Sequence, residues 1–165
     1  MYEFRWSYSI FVGYMTNPTI IRKALSNDCA AIMDLIHQLA RYEKAPEQVI
    51  LTKEQLEVDG FGPSPKYWCF VAEQEQQLVG FALCYLRYST WKGARCYLED
   101  ILIDERYRGK GIGKMLMNTV IQDARARNFS GVVWQVLEWN EPAIKFYETY
   151  QAKLDPEWIN GCIDF

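Results

Sequence analysis

No two of the five cysteines, Cys29, Cys69, Cys84, Cys96 and Cys162, stand in C-x-x-C spacing, and their number is odd. Neither a zinc site nor a disulfide framework is suggested by this pattern; reduced thiols used for packing in a cytoplasmic protein account for it most simply. No metal site is expected. The chain has a single histidine, His37. The apolar spacing around it leaves it off a buried helix face, as a solvated surface residue. No apolar run approaches the ~20 residues of a membrane span, so no membrane partner is expected. Positive charge is not in excess: 18 Lys and Arg stand against 21 Asp and Glu, a formal net charge of −3. That gives no broad attraction to nucleic acid, and it does not conflict with a site for cationic substrates. Repeats and low-complexity tracts are also lacking.

What is present is an ordinary soluble composition, 50% hydrophobic and 24% charged. The 165 residues fit one domain with a full-sized core. Residues 1–14 carry no secretory pattern and read as an extension outside the domain, with Met15 as a second start. Phe4, Trp6, Tyr8 and Ile10 alternate with polar residues, which leaves an ordered extra strand open. Residues 15–165 then make a single domain.

Hydrophobic periodicity divides that domain into elements. Residues 19–23 read as a short strand. Ser26 and Asn27 can cap a helix whose buried face is Ala31, Ile32, Leu35, Ile36 and Leu39. Thr52-Lys-Glu-Gln55 has capping-box form and opens a second, short helix. Residues 67–73 and 78–88 are two strands joined by a polar turn, and 97–103 is a third strand, expected in the sheet centre. A helix over 112–127 presents Ile112, Met115, Leu116, Thr119, Val120 and Ala124 inward. Residues 132–137 form another strand. Glu141-Pro142 starts a helix through Tyr150, and 159–165 could close the sheet.

The most informative stretch is Arg108-Gly-Lys-Gly-Ile-Gly113, between the 97–103 strand and the 112–127 helix. Glycines let the backbone approach a bulky anion. The helix start adds unpaired N–H groups and a positive dipole end, which suit a pyrophosphate. A nucleoside-triphosphate loop needs G-x-x-x-x-G-K-[ST], yet Gly109 to Gly113 is one residue short and Met115 stands where a hydroxyl is needed. The dinucleotide fingerprint needs glycine where Lys114 stands. Strand, glycine loop, helix and strand imply a right-handed crossover between parallel strands.

The loop resembles the acetyl-CoA loop of the GNAT N-acetyltransferases. Downstream, Trp139-Asn-Glu-Pro-Ala-Ile-Lys-Phe-Tyr147 resembles the second landmark of that superfamily, an Asn followed by a helix carrying a Tyr. The resemblance implies an α/β (α+β mixed sheet) acyl-CoA N-acyltransferase fold: a mixed, mostly antiparallel sheet with a parallel crossover at the cofactor site and flanking helices. Ile21-Arg-Lys-Ala24, Leu39-Ala-x-Tyr42-Glu43, Glu47-Gln-Val-Ile-Leu-Thr52, Asp59-Gly-Phe-Gly62 and Tyr97-Leu-Glu-Asp100 are similar to the diamine (spermidine/spermine) N-acetyltransferase family. Tyr88-Ser-Thr-Trp-Lys-Gly93 is similar to its thialysine-acetylating branch. The polyamine branch usually carries Asp where Ser89 stands, which argues against long polyamines as the best substrates. A homodimer is a further implication of the resemblance.

Acetyl transfer from a thioester to an amine needs a held cofactor, a deprotonated amine, donors for the oxyanion and a proton for the leaving thiolate. The backbone from Gly109 through Lys110, Gly111, Ile112 and Gly113 to Lys114 would hold the pyrophosphate, with charge from Arg108 and Lys110. Ile101, Leu102 and Ile103 would align the pantetheine arm, and a strand N–H would polarise the carbonyl. Asn140 would bond the pantetheine amide, cap the helix before Glu141-Pro142, or do both. An alkyl ammonium with pKa of about 10.4 leaves roughly one molecule in a thousand as free amine at neutral pH. A carboxylate acting through water is the expected base, and Glu99 is the candidate; the structural alternative is pairing with an arginine. Asp100 must face the other way if the strand is regular. Tyr147 is the candidate general acid, or else an aromatic core residue beside Phe146. The resemblance also implies that Tyr42, Glu43, Trp91 and Glu99 lie near the amine, although Trp91 could equally be core. Gln151 stands where the family usually has Gly after the catalytic helix. Two rival readings remain: a non-catalytic acyl-CoA-binding module, and a peptide or protein lysine acetyltransferase of the same fold.

Overall fold

A computed structural model describes residues 18–163 of the chain. The extension expected over residues 1–14 lies outside the described residues. The chain divides into two compact units, one ending at Val133 and the other beginning at Trp134.

The first unit carries β1 (Ile20–Lys23), α1 (Cys29–Tyr42), α2 (Lys53–Phe61), β2 (Trp68–Gln74), β3 (Gln77–Ser89), β4 (Gly93–Ile103), α3 (Ile112–Ala126) and β5 (Val132–Val133). The strands form one sheet in the order β1-β2-β3-β4-β5, antiparallel throughout except for the parallel β4–β5 pair. The expected mixed sheet with one parallel crossover is therefore present. Its central strand is β3, not β4, because β4 has only the short β5 beyond it.

Local chemistry explains most boundaries. Ser26 and Asn27 do not cap α1; they lie in a short 3-10 turn, and the Ser26 hydroxyl donates to Glu57 instead. Asp28 takes the terminal position, because its carboxylate accepts the Leu25 N–H at 2.7 Å and a forked pair of bonds from Arg22. Thr52 caps α2 as expected, accepting the Gln55 N–H at 3.1 Å. The β2–β3 turn tightens to Glu75 and Gln76, both left-handed at φ 53° and 63°. That geometry matches the strand twist of a two-residue hairpin, so pairing extends out to Gln74 and Gln77.

One face of the sheet packs Phe81, Leu83 and Leu102 against Ile32, Leu35 and Leu56 of α1 and α2. The other receives α3, whose buried side chains are Ile112, Leu116, Met117, Val120 and Ala124. Met115, expected inward, is 39% exposed while Met117 is 1% exposed. Met117 shares the i, i+3, i+7 row with Val120 and Ala124, and Met115 stands off it.

Two expected strands are corrected. The segment 132–137 pairs only at Val132 and Val133, opposite Cys96 and Tyr97. It stops just before β4 bulges, where a regular ladder cannot continue. Residues 159–163 form no strand. In the second unit α4 (Glu141–Glu148) ends two residues before Tyr150, where Thr149, Tyr150 and Gln151 turn back onto the last carbonyls of the helix.

Candidate active site

The glycine loop follows β4 through a 3-10 turn over Glu105–Tyr107. The Asp104 carboxylate anchors that turn, accepting the Arg106 backbone N–H at 3.0 Å and its guanidinium at 3.0 and 2.7 Å. Gly109 and Gly111 then adopt φ 74° and 81°, where a side chain is strained, although a Cβ at either would meet nothing within 4 Å. Backbone conformation, not crowding, requires glycine here. Gly111 is also the N-cap of α3, so no side chain receives the first N–H groups of the helix. Arg108 and Lys110 surround this bend with positive charge. Lys110 Nζ lies 4.9 Å from the centre of the Tyr107 ring, and the Arg108 guanidinium lies 5.2 Å from that of Tyr42. Open backbone, a helix start without a side-chain cap and two cations fit a pyrophosphate group.

Upstream, β5 covers β4 only at Cys96 and Tyr97. From Leu98 to Ile103 the β5-side edge of β4 has no strand partner among the described residues, so Ile101, Leu102 and Ile103 present main-chain groups there.

The opposite β3–β4 ladder holds the main correction to the sequence reading. Leu83 pairs with Asp100 but Cys84 pairs with Leu98, so Glu99 is the extra residue of a β-bulge. The strand is irregular at this point, and Asp100 does not face away from Glu99's surroundings. Through Leu83, Asp100 shares the α1 side of the sheet. Tyr85 and Tyr97 lie on that same side, stacked with ring centres 4.9 Å apart. Burial, then the Glu99 carboxylate, raises the pKa of both phenols. Burial, then Glu99 and Glu43, pushes the Asp100 carboxyl up to about 7. Burial also raises Glu43. Glu99 and Glu43 thus act electrostatically on Asp100, and Glu99 on the two tyrosines. Glu99 makes no ion pair among the described residues.

Trp91 stands at the β3–β4 hairpin tip and is 83% exposed, so it is not a core residue. Gly93 and Glu99 are six residues apart, about 20 Å of extended strand, and the fold of one chain does not bring Trp91 to the carboxylates. Ser89 holds the tip, its hydroxyl accepting the N–H groups of Trp91 and Lys92 at 3.3 and 3.2 Å. A cleft of about 500 Å³ elsewhere, between α1 and the β2–β3 turn, is bordered by Arg22 and Arg106. Both are already paired, with Asp28 and Glu73 and with Asp104 respectively, so it offers an anion little.

The second unit carries Asn140 and Tyr147. Asn140 does cap α4, accepting the Ala143 N–H at 3.3 Å. Tyr147 is buried, with the Trp134 and Phe146 rings centred 4.7 and 5.4 Å from its own. Among the described residues no helix is long and apolar enough to cross a membrane, and no group of three or more His, Cys, Asp or Glu residues is placed to hold a metal ion.

Residues 29–151 match the family model described as the acetyltransferase (GNAT) family. A thialysine N-epsilon-acetyltransferase of Bos taurus is 42% identical over 142 residues, covering 81% of this chain and 84% of that protein. A protein of the same name from Caenorhabditis elegans is 32% identical, covering 72% of each. The spermidine/spermine N(1)-acetyltransferase-like protein 1 of Homo sapiens is 35% identical over 82% of this chain, which spans 20% of that protein. Among solved structures, an aminoglycoside acetyltransferase from an uncultured soil metagenomic sample superposes with a TM-score of 0.73 at 20% identity, covering 89% of this chain and 96% of that one. At that identity the likeness concerns the fold alone. The crossover, the glycine bend and these matches agree: the chain belongs to the GNAT acetyltransferase family, and it is an acetyltransferase.

Proposed function

We propose that the enzyme transfers the acetyl group of acetyl-CoA to a primary amine of a small molecule that carries a second charged group. The observation that carries this reading is the acidic β4 bulge: Glu99 is its extra residue, Asp100 follows it, and Glu99 and Glu43 both raise the Asp100 pKa, at the stretch that β5 leaves uncovered. Carboxylates gathered in this way suit a compact dication or an amino acid side chain better than a neutral acceptor. Thialysine-like amino acids and short diamines lead as substrates, with spermidine next. The names of the Bos taurus and Homo sapiens relatives support that order. So does Ser89, whose hydroxyl serves the hairpin turn in place of a further carboxylate.

Bound acetyl-CoA supplies an acetyl group activated as a thioester. The backbone of Gly109, Gly111, Ile112, Gly113 and Lys114 is assigned its pyrophosphate, with charge from Arg108 and Lys110. Main-chain groups of Ile101, Leu102 and Ile103 are assigned the pantetheine arm, together with the Asn140 side chain. Glu99 draws the proton from the amine through water, and Asp100 and Glu43 orient the ammonium. The Tyr147 phenol is assigned the proton for the departing sulfur. Tyr42 is assigned to the amine, as the family resemblance implies; Trp91 is not, since it stands at the hairpin tip away from the carboxylates of its own chain. The enzyme acts in the cytoplasm as a homodimer in this reading. The exposed Leu86, Tyr88 and Trp91 of β3 and its hairpin tip offer apolar surface for a second copy.

A thiol-release assay with acetyl-CoA against thialysine, lysine, putrescine and spermidine tests the proposal. Amine-dependent release, strongest with thialysine or putrescine, is the expected result. Coenzyme A binding without release by any amine would favour a binding module instead. Mass shifts confined to lysine peptides would favour a protein acetyltransferase.

A further inference from the structure

Arg108 is the only long cation that directly precedes the glycine bend, and its side chain is already held. Its Nε–H donates to the Ile103 carbonyl at 3.0 Å, and its guanidinium carbon lies 5.2 Å from the centre of the Tyr42 ring. A guanidinium has five N–H donors. The four on the terminal nitrogens make no hydrogen bond among the described residues. Tyr42 is half-buried at the last position of α1, so its ring is fixed by a helix end, while Arg108 itself is exposed.

We propose that Tyr42 is a positioning residue for the phosphate loop: its ring and the Ile103 carbonyl hold Arg108 in place, leaving the terminal N–H fork for the pyrophosphate of the acyl donor. The inference rests on the acetyl-CoA reading and goes beyond the amine-side role that the family resemblance implies for Tyr42. The physical reason is entropy. A free arginine side chain has many rotamers to lose, and here it adjoins a glycine that stiffens nothing. A side chain ordered before binding loses less when the anion arrives. One face of the Tyr42 ring is occupied by Arg108 and is closed to a substrate ammonium. Because Glu43 is the next residue and bears on Asp100, one turn of α1 serves both the phosphate loop and the carboxylate cluster.

Calorimetric titration with coenzyme A tests this on five proteins: wild type, Tyr42→Phe, Tyr42→Leu, Arg108→Ala and the Tyr42→Leu/Arg108→Ala double variant. Tyr42→Phe keeps the ring face and is expected to bind like wild type. Tyr42→Leu is expected to bind about three- to fivefold more weakly, the scale of an exposed cation–π contact. In the Arg108→Ala background the same change is expected to have no further effect. In turnover, Tyr42→Leu should raise KM for acetyl-CoA, and in the Arg108→Ala background it should raise it no further. Wild-type affinity in Tyr42→Leu, or an equal loss in both backgrounds, would overturn the inference while leaving the acetyl-CoA reading intact. Failure of the wild type to bind coenzyme A would overturn both. If Tyr42→Leu does not fold, Tyr42→Met fills similar space without a ring and takes its place in the cycle.

Discussion

Asp100 is an ordinary aspartate whose surroundings make it unusual. Its carboxyl is pushed from 3.8 to about 7 by burial and by Glu99 and Glu43. The folded chain therefore keeps a proton that the unfolded chain has released, so this group's contribution to stability falls as pH rises from about 4 to 7. Asp100→Asn should flatten that slope and leave the protein about 1–3 kcal/mol more stable than wild type at pH 8, by urea unfolding at pH 5 and pH 8. In turnover, kcat/KM for the amine should rise through about pH 7 in the wild type as Asp100 gains its charge, and the Asn variant should lack that limb. An identical pH profile would remove Asp100 from amine binding. Tyr147 is tested differently. Trp134 and Phe146 pack on the ring, so Tyr147→Phe should keep stability and acetyl-CoA affinity while kcat falls about 100-fold, the usual lower scale for a lost general acid. Unchanged kcat would assign the proton to another group. The place of Tyr147 on a helix capped by Asn140 was readable from the sequence. Asp100 was not, because alternation along a strand is valid only where no residue is inserted, and the bulge at Glu99 inserts one.

At the scale of elements, the bend between β4 and α3 depends on two left-handed residues. Gly111→Ala should destabilise the fold by roughly 1–2 kcal/mol through backbone strain alone, since its Cβ has open space. If the backbone N–H groups grip the pyrophosphate, coenzyme A affinity should fall by more than that strain implies, at least about 30-fold by calorimetry. A loss in affinity no larger than the loss in stability would separate the bend from the ligand. Gln151 is the complementary case. It sits at φ 54° beyond α4, in the conformation that glycine adopts freely. Gln151→Gly should stabilise the protein by about 0.5–1 kcal/mol in denaturant unfolding. The glycine bend was legible because its residues are adjacent and their backbone needs are local. The length of β5 was not, since it depends on where β4 stops offering a regular edge.

For the whole molecule, the cysteines report on the core. Cys29, Cys69, Cys84 and Cys96 are buried, Cys162 is exposed, and all five are free thiols. Burial raises the pKa of Cys29 and Cys69, which keeps them protonated near neutrality. A thiol reagent should label one cysteine quickly in the native protein and all five after unfolding, and a reductant should leave Tm unchanged. A fast phase of two or more thiols would mean that the packing around β2, β3 and β4 is looser than the structure has it. By itself, the sequence determined the crossover, the glycine bend and the order of the helices. Each of these is written in neighbouring residues or in a repeating period. Only the tertiary structure decided that the Glu43 charge bears on Asp100, that Tyr42 lies under Arg108, and that Trp91 stands far from the carboxylates of its own chain. Those relations join residues 57 and 66 positions apart, or separate residues only eight apart, and they follow from strand register and a single bulge. Register is set by the summed packing of both sheet faces, a quantity that no local pattern contains.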